Sequence, residues 1–530
     1  MTAGSLVDLL SKGDGGSVVF SDGSFVPVGR LASDGYRSFG GGADGQTVAA
    51  LLTNDRASVE LVLGAVHAGV RLVSLPLPAR GADPTSYLAF VAAACSDAGV
   101  STVVARPDIA DLLRATGLRV VSHLELEGGA SRPVAGAGPD GFELVQFSSG
   151  STSTPKGIVL DDQLLGTNVA AMLEVLRPRR GDGAVSWLPL SHDMGLIGML
   201  FTAVAAFADD RAAGGCLTLL DPQEFLREPG RWLAAASGSG ATITATPDFG
   251  LRMAVARPST GLDLSRLRCV IVGGEVVRAA TLVAAEAALG PHGLGSKALC
   301  PAYGMAEIGL AACLSHPGAP WEDDGVDLVA IADRKRVPDP TPSGARLVAS
   351  GSPLPGYGVD IAEEVGDLVV TAPSIGRDLR TGASLGSVGG LATGDVGYLL
   401  PSGQVVVCGR RDDYLVANGR NVYAPAIEAA VTAVDAVRDG RATAVAIPTG
   451  GWIIALESTL ADADRSGAAR LRRDARRASI AVAGVAPDAV LVLPRGRLPL
   501  TSSGKLQRHE VVRRWAAGDL VESGDGEVEP

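Results

Sequence analysis

Short apolar segments alternate with longer alanine-rich segments along the first 140 residues of the chain. The apolar segments predict strands at 47–52, 72–76 and 101–105. The alanine-rich segments between them predict helices at 58–68 and 87–98. A regular alternation of strands and helices is typical of a sheet that helices cover on both faces. The N-terminal part of the chain is therefore predicted to form a doubly wound α/β sheet.

The alternation continues beyond residue 160, with strands predicted at 183–188, 269–272 and 297–300. Each of these strands is followed by a turn with polar or glycine residues. His192 follows the first strand, Gly273-Gly274-Glu275 the second, and a turn ending in Glu307 the third. Ligands of open α/β sheets bind at the carboxyl ends of strands. Glycine turns there could let a flat ring approach the backbone, and Glu307 could supply an oxygen to magnesium.

Two changes in composition divide the rest of the chain. Residues 321–341 are polar and contain several prolines, which is typical of an insertion. From Tyr414 onward the chain has the length of a small separate domain, about 115 residues, with a helix predicted at 425–434. Because a chain of 530 residues is too long for one hydrophobic core, two or more domains are expected.

The overall composition narrows the class of protein. With 46% hydrophobic and 20% charged residues, the chain is typical of soluble globular proteins. The apolar run 196–208 is too short to span a bilayer and the N-terminus lacks the pattern of a secretory signal, so neither is expected. A net charge of −12 argues against nucleic-acid binding. Six dispersed cysteines without a C-x-x-C pair predict reduced thiols in a cytoplasmic protein.

Residues 147–157, which follow an apolar run at 143–146, have the composition of an anion-binding loop. Its hydroxyl groups and glycine-exposed N–H groups can bind phosphate oxygens, and Lys156 adds a positive charge. The loop is not a Walker A motif, because Pro155-Lys156-Gly157 stands where Gly-Lys-Ser/Thr is required. A flexible Ser/Gly linker is the alternative, although a linker has no reason to follow a strand directly.

Further polar side chains are candidates for chemistry, and each also has a simpler interpretation. His192 lies at a predicted sheet edge, although a surface histidine at a turn fits equally well. Asp395 could accept hydrogen bonds from a ribose, with Arg410 at the same sugar or a phosphate, whereas a turn-capping aspartate is the alternative. Lys505 follows Ser-Ser-Gly in a loop that could reach another domain, but an isolated lysine is usually a solvated charge.

Together these segments resemble the adenylate-forming superfamily, which includes acyl-CoA synthetases, nonribosomal peptide adenylation domains and luciferases. The resemblance covers roughly residues 30–515 and rests on seven motifs in the order of that family. The motifs are 148–157, Gly273-Gly274-Glu275, Tyr303-Gly304-Met305-Ala306-Glu307, Thr393-Gly394-Asp395, Gly409-Arg410-Arg411-Asp412, Asn418-Gly419-Arg420 and Ser503-Gly504-Lys505. A single match of this kind is weak, whereas seven in the right order are specific.

The resemblance implies a fold and a set of site residues. A large N-terminal domain, 1–411, contains doubly wound sheets and a β-subdomain, and a small mobile α+β domain, 412–530, moves about a hinge at Asp412. Lys505, His192 and Glu307 are implied to be catalytic, with Glu307 and Thr152 at Mg²⁺. The residues implied to bind ATP or AMP are Ser148, Ser149, Gly150, Ser151, Thr152, Lys156, Gly273, Gly274, Glu275, Tyr303, Gly304, Met305, Ala306, Asp395 and Arg410.

Within the superfamily the chain most resembles fatty acyl-AMP ligases. The similar features are Trp187-Leu188-Pro189, His192-Asp193-Met194-Gly195, Gly419-Arg420-Asn421-Val422-Tyr423 and an insertion at 327–344. In that subfamily the insertion hinders transfer to coenzyme A. The resemblance thus implies ATP-dependent conversion of a carboxylic acid to acyl-AMP, release of pyrophosphate, and transfer to the phosphopantetheine thiol of an acyl carrier protein.

Other functions stay open at this stage. The main alternative is an acyl-CoA synthetase with coenzyme A as the acceptor, followed by a luciferase-like oxygenase and a non-catalytic relative that binds acyl groups or nucleotides. The joint presence of Lys156, Glu307, Asp395, Arg410 and Lys505 argues against the non-catalytic alternative. Five arginines between positions 470 and 477 could dock an acidic carrier protein or coenzyme A, but a solvated helix face is the simpler interpretation.

Overall fold

The computed structural model describes most of the chain. The described residues are 4–12, 16–39, 46–78, 83–123, 125, 141–147, 156–209, 212–257, 259–339, 345–417, 420–438, 440–448, 450–500 and 506–520. The phosphate-loop candidates 148–152 and the catalytic candidate Lys505 lie outside these residues. Only the backbone is described at the hinge candidate Asp412.

Helices and strands alternate through the first four hundred residues, and further helices lie in the C-terminal part of the chain. The α-helices are Leu6–Ser11, Val28–Ser38, Arg56–His67, Pro84–Asp97, Pro107–Leu113, Asp162–Leu176, Thr202–Ala208, Pro222–Arg227, Gly230–Ser239, Asp248–Ala256, Ala279–Leu289, Leu328–Ala332, Ala424–Thr432, Leu460–Ala463, Arg465–Ala483 and Arg508–Ala516. A π-helical segment, Met194–Phe201, continues directly into the helix Thr202–Ala208. In the part of the chain that the structure describes, no helix is both long and apolar enough to cross a membrane.

The first large sheet has seven strands. Their order across the sheet is Arg377–Asp378, Gly157–Asp161, Glu143–Phe147, Arg71–Ser74, Thr47–Ala50, Thr102–Ala105 and Arg119–Ser122. The last five of these strands are parallel to one another. The doubly wound sheet predicted for the N-terminal part is therefore confirmed.

The second large sheet has nine strands and contains both early and late parts of the chain. Their order is Ser352–Pro353, Ala311–Leu314, Leu299–Gly304, Cys269–Val272, Ile243–Thr246, Ala184–Ser186, Gly215–Leu219, Gly16–Val19 and Phe25–Pro27. Six strands, from Leu299–Gly304 to Gly16–Val19, are parallel. The third strand predicted from the sequence begins later and extends further than expected. Tyr303 and Gly304 are still strand residues because they pair with Cys313 and Ala311 of the next, antiparallel strand.

Local chemistry explains how these elements begin and pack. Asp55 and Asp161 each accept a hydrogen bond from the N–H group three residues later and so cap their helices. The helices Val28–Ser38 and Arg56–His67 cross at Gly35 and Gly64. A Cβ atom at Gly35 would lie 1.8 Å from the carbonyl oxygen of Glu60, so this crossing requires glycine.

The remaining sheets are small. A four-stranded antiparallel sheet contains Gly358–Ile361, Gly366–Thr371, Leu391–Leu399 and Val405–Arg410. Two hairpins are formed by Asp323–Val326 with Ala345–Val348, and by Tyr414–Ala417 with Arg420–Tyr423. The C-terminal part contains a three-stranded sheet of Ala442–Ile447, Gly451–Glu457 and Ala489–Leu493. It has a separate hydrophobic cluster on each face, as expected for an α+β unit.

A buried ion pair supports one end of the nine-stranded sheet. Arg268 Nη2 lies 2.6 Å from Oδ2 of Asp182, which also accepts a hydrogen bond from the Arg179 N–H group. Burial raises the pKa of Asp182, but hydrogen bonds from Arg268 and Thr242 outweigh it, so the pKa lies below its ordinary value.

Asp182→Asn should therefore lower the free energy of unfolding at pH 7 by about 3 kcal/mol, because it leaves Arg268 without its counter-charge. Because the pKa of Asp182 is lower in the folded than in the unfolded state, the ionised carboxylate stabilises the fold above about pH 4. This stabilisation is lost as the pH falls further. In urea unfolding, the difference between wild type and variant should be constant from about pH 7 to 5 and shrink below about pH 4. A difference that does not change with pH would contradict this account.

Candidate active site

A hydrogen-bonded trio lies at the edge of the four-stranded sheet. The hydroxyl group of Tyr303 donates to Oδ2 of Asp395 at 2.6 Å, and Arg410 Nε lies 3.2 Å from Oδ1 of the same carboxylate. Asp395 and Arg410 face each other because their strands pair in register at these residues. The Thr393 hydroxyl accepts a hydrogen bond from the Asp395 N–H group and fixes the turn. The three residues predicted to surround the nucleoside are thus brought together.

Glu307 lies in a tight turn beside this trio. Its carbonyl oxygen accepts a hydrogen bond from the Gly376 N–H group at 2.7 Å. Burial raises the pKa of Glu307, Arg410 opposes the shift, and Asp193 and Asp395 add to it. The carboxylate oxygens of Glu307 are ligands of the kind that magnesium prefers. In the described part of the chain, no group of three or more His, Cys, Asp or Glu residues is placed to hold a metal ion.

Backbone packing at the two glycine motifs explains why glycine is needed there. Gly274 has φ +77°, a conformation that other residues rarely adopt. A Cβ atom at Gly273 would lie 2.8 Å from the Ala302 carbonyl oxygen, and one at Gly304 would lie 1.8 Å from that of Leu310. The backbone at Gly273 therefore lies close to the neighbouring strand, and the backbone at Gly304 lies close to the turn that follows it.

The other predicted nucleotide residues are placed as follows. Glu275 accepts a hydrogen bond from the Phe249 N–H group at 2.7 Å and so holds the start of the helix Asp248–Ala256. Met305 and Ala306 are partly buried in the turn that precedes Glu307. Lys156 is exposed immediately before the strand Gly157–Asp161. A direct role of these residues at the nucleotide stays a prediction.

A second segment reaches the site from the end of the strand Ala184–Ser186. His192 is half-buried, and its N–H group donates to the Pro189 carbonyl oxygen. Asp193 follows and caps the π-helical segment through the Met194 N–H group at 2.7 Å. This segment reaches the glycine motif, since a Cβ atom at Gly274 would lie 3.7 Å from the Met194 sulfur. The charge of Asp193 also contributes to the raised pKa of Glu307. The sequence analysis named Asp193 within the motif of His192 but assigned it no role in the site.

Comparison with known proteins identifies the family of this chain. The AMP-binding enzyme family matches residues 37–377 of this chain. The long-chain-fatty-acid–AMP ligase FadD26 of Mycobacterium bovis is 30% identical over 89% of this chain and 88% of its own length. The 4-hydroxyphenylalkanoate adenylyltransferase of Mycobacterium tuberculosis is 28% identical over 89% of this chain and 83% of its own length. A structure from a study of fatty acyl-adenylate ligases of E. coli and L. pneumophila superposes with a TM-score of 0.86, at 25% identity, over 97% of this chain and 98% of that one.

The fold is that of an adenylate-forming ligase, a class of enzyme that uses ATP to activate a carboxylic acid as its acyl adenylate. The chain belongs to the AMP-binding enzyme family and is similar to its fatty acyl-AMP ligases.

The trio gives a first prediction for this site. Asp395→Asn keeps the shape of the side chain but removes the charge that pairs with Arg410, so it should raise the KM for ATP by about tenfold. The measurement is ATP–pyrophosphate exchange at varied ATP. Asp378→Asn is the matched control, because Asp378 caps a turn through the N–H groups of Arg380 and Thr381. Equal effects of the two substitutions would mean that Asp395 is only a turn-capping residue.

Proposed function

We propose that this enzyme transfers its activated acyl group to the phosphopantetheine thiol of an acyl carrier protein. In the first half-reaction the substrate carboxylate attacks the α-phosphorus of ATP, and pyrophosphate leaves. In the second half-reaction the thiol attacks the acyl carbon, and AMP leaves. Neither step requires a covalent bond to the protein, so positioning and charge neutralisation are the tasks of its residues.

The site residues divide these tasks. Asp395 and Arg410 hold the ribose, while Gly273, Gly274 and Tyr303 surround the adenine. The loop 148–156, with Thr152 and Lys156, binds the β- and γ-phosphates. Magnesium, when bound at Glu307 and Thr152, supplies positive charge to the phosphates. The hydrogen bonds that join Tyr303, Asp395 and Arg410 and the close backbone contacts at Gly273 and Gly304 support these roles.

Two parts of the chain are proposed to move relative to each other. Residues 1–411 form the adenylation domain, and 412–530 form the lid domain, with the hinge at Asp412. Lys505 on the lid approaches the carboxylate and the α-phosphate, and the lid withdraws it before the thiol enters. His192 lies towards the acyl end, where it orients the carboxylate or closes the pocket.

The observation that favours a carrier protein over coenzyme A is the packing of the inserted segment. Ile331 and Ala332 of the insertion share one buried cluster with Tyr398 before the hinge and Tyr423 after it. The insertion is also bonded to the strand Asp323–Val326. Arg336 Nε and Nη2 donate to the two carboxylate oxygens of Asp324, at 2.7 and 3.0 Å. A segment that packs on both sides of a hinge opposes rotation about it, so the lid rotates only when the acceptor supplies binding free energy for the rotated state. A docked carrier protein can supply this free energy over a larger surface than free coenzyme A.

Four arginines give a weaker indication of an anionic partner. Arg470, Arg473, Arg476 and Arg477 are exposed on the helix Arg465–Ala483, whereas Arg472 is half-buried and donates to the Val490 carbonyl oxygen. Their charge suits an acidic carrier protein, but it suits the phosphates of coenzyme A equally well. The choice between the two acceptors therefore depends on the insertion.

Mass spectrometry of acyl transfer tests the proposal. The enzyme is incubated with ATP, magnesium and a panel of straight-chain and aromatic carboxylic acids, since relatives include ligases for both kinds of acid. Coenzyme A is offered in one set of tubes and a phosphopantetheinylated carrier protein in the other. We expect acyl transfer to the carrier protein only. Efficient formation of acyl-CoA would mean that the insertion permits the lid to rotate and that the enzyme is an acyl-CoA synthetase.

A further inference from the structure

Two buried asparagines, far apart in sequence, hold the two segments that form the active site. Asn54 follows the strand Thr47–Ala50 and is 7% exposed. Its Nδ2 group donates to the carbonyl oxygens of Leu188 at 3.0 Å and Leu220 at 2.9 Å. Its Oδ1 atom accepts a hydrogen bond from the Leu190 N–H group at 3.0 Å. One amide from the seven-stranded sheet therefore fixes two turns at the carboxyl edge of the nine-stranded sheet.

The bonds of Asn54 act on the turn that contains His192. Leu188 and Leu190 lie between the strand Ala184–Ser186 and the π-helical segment, and Leu190 precedes His192 by two positions. The backbone is bonded again at Pro189, whose carbonyl oxygen accepts from the His192 N–H group. The direction in which His192 and Asp193 leave the sheet is thus set by hydrogen bonds to Asn54.

Asn168 has the same chemistry on the other side of the site. It lies in the helix Asp162–Leu176 and is fully buried. Its Oδ1 atom accepts hydrogen bonds from the N–H groups of Leu310 and Ala311, at 3.1 and 3.2 Å. Its Nδ2 group donates to the Ala311 carbonyl oxygen and to the Tyr357 hydroxyl oxygen, both at 2.8 Å.

These bonds act on the turn that contains Glu307. The Met305 N–H group donates to the Leu310 carbonyl oxygen at 2.7 Å, which closes the turn around Glu307. Asn168 binds the outgoing end of that turn, and an added Cβ atom at Gly309 would lie within 3.3 Å of its side chain. The position of the Glu307 carboxyl group therefore depends on Asn168, just as the position of His192 depends on Asn54.

Only a primary amide can make both sets of bonds. Asparagine has two N–H donors and an acceptor oxygen, whereas aspartate has no donor and would face carbonyl oxygens with a negative charge. Apart from the Tyr357 hydroxyl, the partners are backbone groups, and the partner segments begin 134 and 142 residues away from Asn54 and Asn168. Because such groups are costly to leave unpaired, loss of the amide should shift these segments rather than only weaken a contact.

We propose that Asn54 and Asn168 are positioning residues with separate tasks, Asn54 for the carboxylic acid through the His192 turn and Asn168 for ATP through the Glu307 turn. The proposal rests on the function proposed above. Displacement of a reacting group by about 1 Å can lower a rate by as much as roughly 10²-fold, so selective kinetic effects are expected from these substitutions.

Each asparagine serves as the control for the other. In ATP–pyrophosphate exchange, Asn54→Asp should raise the KM for the acid by about tenfold with the KM for ATP unchanged. Asn168→Asp should raise the KM for ATP by about tenfold with the KM for the acid unchanged. Asp182→Asn, which disturbs a buried ion pair on the opposite edge of the sheet, should change neither constant.

Two further measurements keep the test decisive. Asn54→Ser and Asn168→Ser, which leave room for a water molecule, replace the aspartate variants if those do not fold. Isothermal titration calorimetry measures the binding of ATP and magnesium without the carboxylic acid substrate. It therefore tests Asn168 even if no acid that the enzyme activates is found. There, the Asn168 variant should bind about tenfold more weakly and the Asn54 variant like wild type. Equal changes in both variants, in either assay, would overturn the proposal and leave the asparagines a purely structural role.

Discussion

Replacing Lys505 by alanine is expected to slow acyl-adenylate formation by roughly 10²- to 10³-fold or more. The reason is the charge that develops as one anion, the substrate carboxylate, attacks another, the α-phosphate of ATP. A lysine placed between them offsets this repulsion, and no group of the substrates can replace it. ATP binding should be partly retained, because Asp395 and Arg410, which we propose to hold the ribose, are unchanged in this variant.

Two assays separate this effect from a general loss of activity. ATP–pyrophosphate exchange should be nearly abolished in Lys505→Ala, whereas transfer from a chemically prepared acyl adenylate to the thiol should continue. Lys297→Ala is the matched control, since Lys297 is exposed before the strand Leu299–Gly304, at the opposite end from the site. If pyrophosphate release by Lys505→Ala were unchanged, the proposed mechanism would be wrong.

Replacing Glu307 by glutamine should have the second largest effect, a loss of roughly 10²-fold in exchange rate, or about 3 kcal/mol. Glutamine has nearly the shape of glutamate, so the turn held by Gly376 and Asn168 should persist. What is lost is a negative charge beside Asp193 and Asp395. A divalent cation would then bind more weakly, and the variant should need more magnesium for half of its maximal rate.

A titration with magnesium measures this effect. Exchange rates of wild type, Glu307→Gln and Glu286→Gln are compared over a wide range of magnesium concentrations. Glu286 accepts a hydrogen bond from the Trp321 indole at 2.9 Å and controls for the loss of a carboxylate that serves only packing. A magnesium dependence of Glu307→Gln identical to that of wild type would exclude Glu307 as a metal ligand.

Much of the fold followed from local pattern. The predicted strands at 72–76 and 101–105 and the helix at 87–98 all exist with small shifts of their ends. The strand predicted at 297–300 was misplaced, because Pro301 and the glycine at 304 indicated a turn. The structure keeps both residues in a strand, since Pro301 pairs with Val272 of the strand before and Gly304 with Ala311 of the strand after, and this pairing outweighs their local preference.

The site was predictable as far as its motifs are contiguous in sequence. The trio of Tyr303, Asp395 and Arg410 was named residue by residue, and the structure brings it together. Asn54 and Asn168 were not predicted, because nothing near them in sequence indicates what they bind. Their partners are more than one hundred residues away, and a buried polar side chain is identified only when those partners are known.

The nine-stranded sheet also has a consequence for how the enzyme is made. The strand Gly16–Val19 lies between two partners in this sheet. One partner, Phe25–Pro27, is close in sequence and is synthesised soon afterwards. The other partner is Gly215–Leu219, in which Gly215 pairs with Gly16. At a synthesis rate of roughly 5–20 residues per second, that second partner leaves the ribosome about 10–40 seconds after the first strand. During this time one edge of an apolar hairpin has no partner, and such an edge can pair with other chains. Slowing translation should therefore increase the fraction of nascent chains that aggregate, although every active-site residue is unchanged.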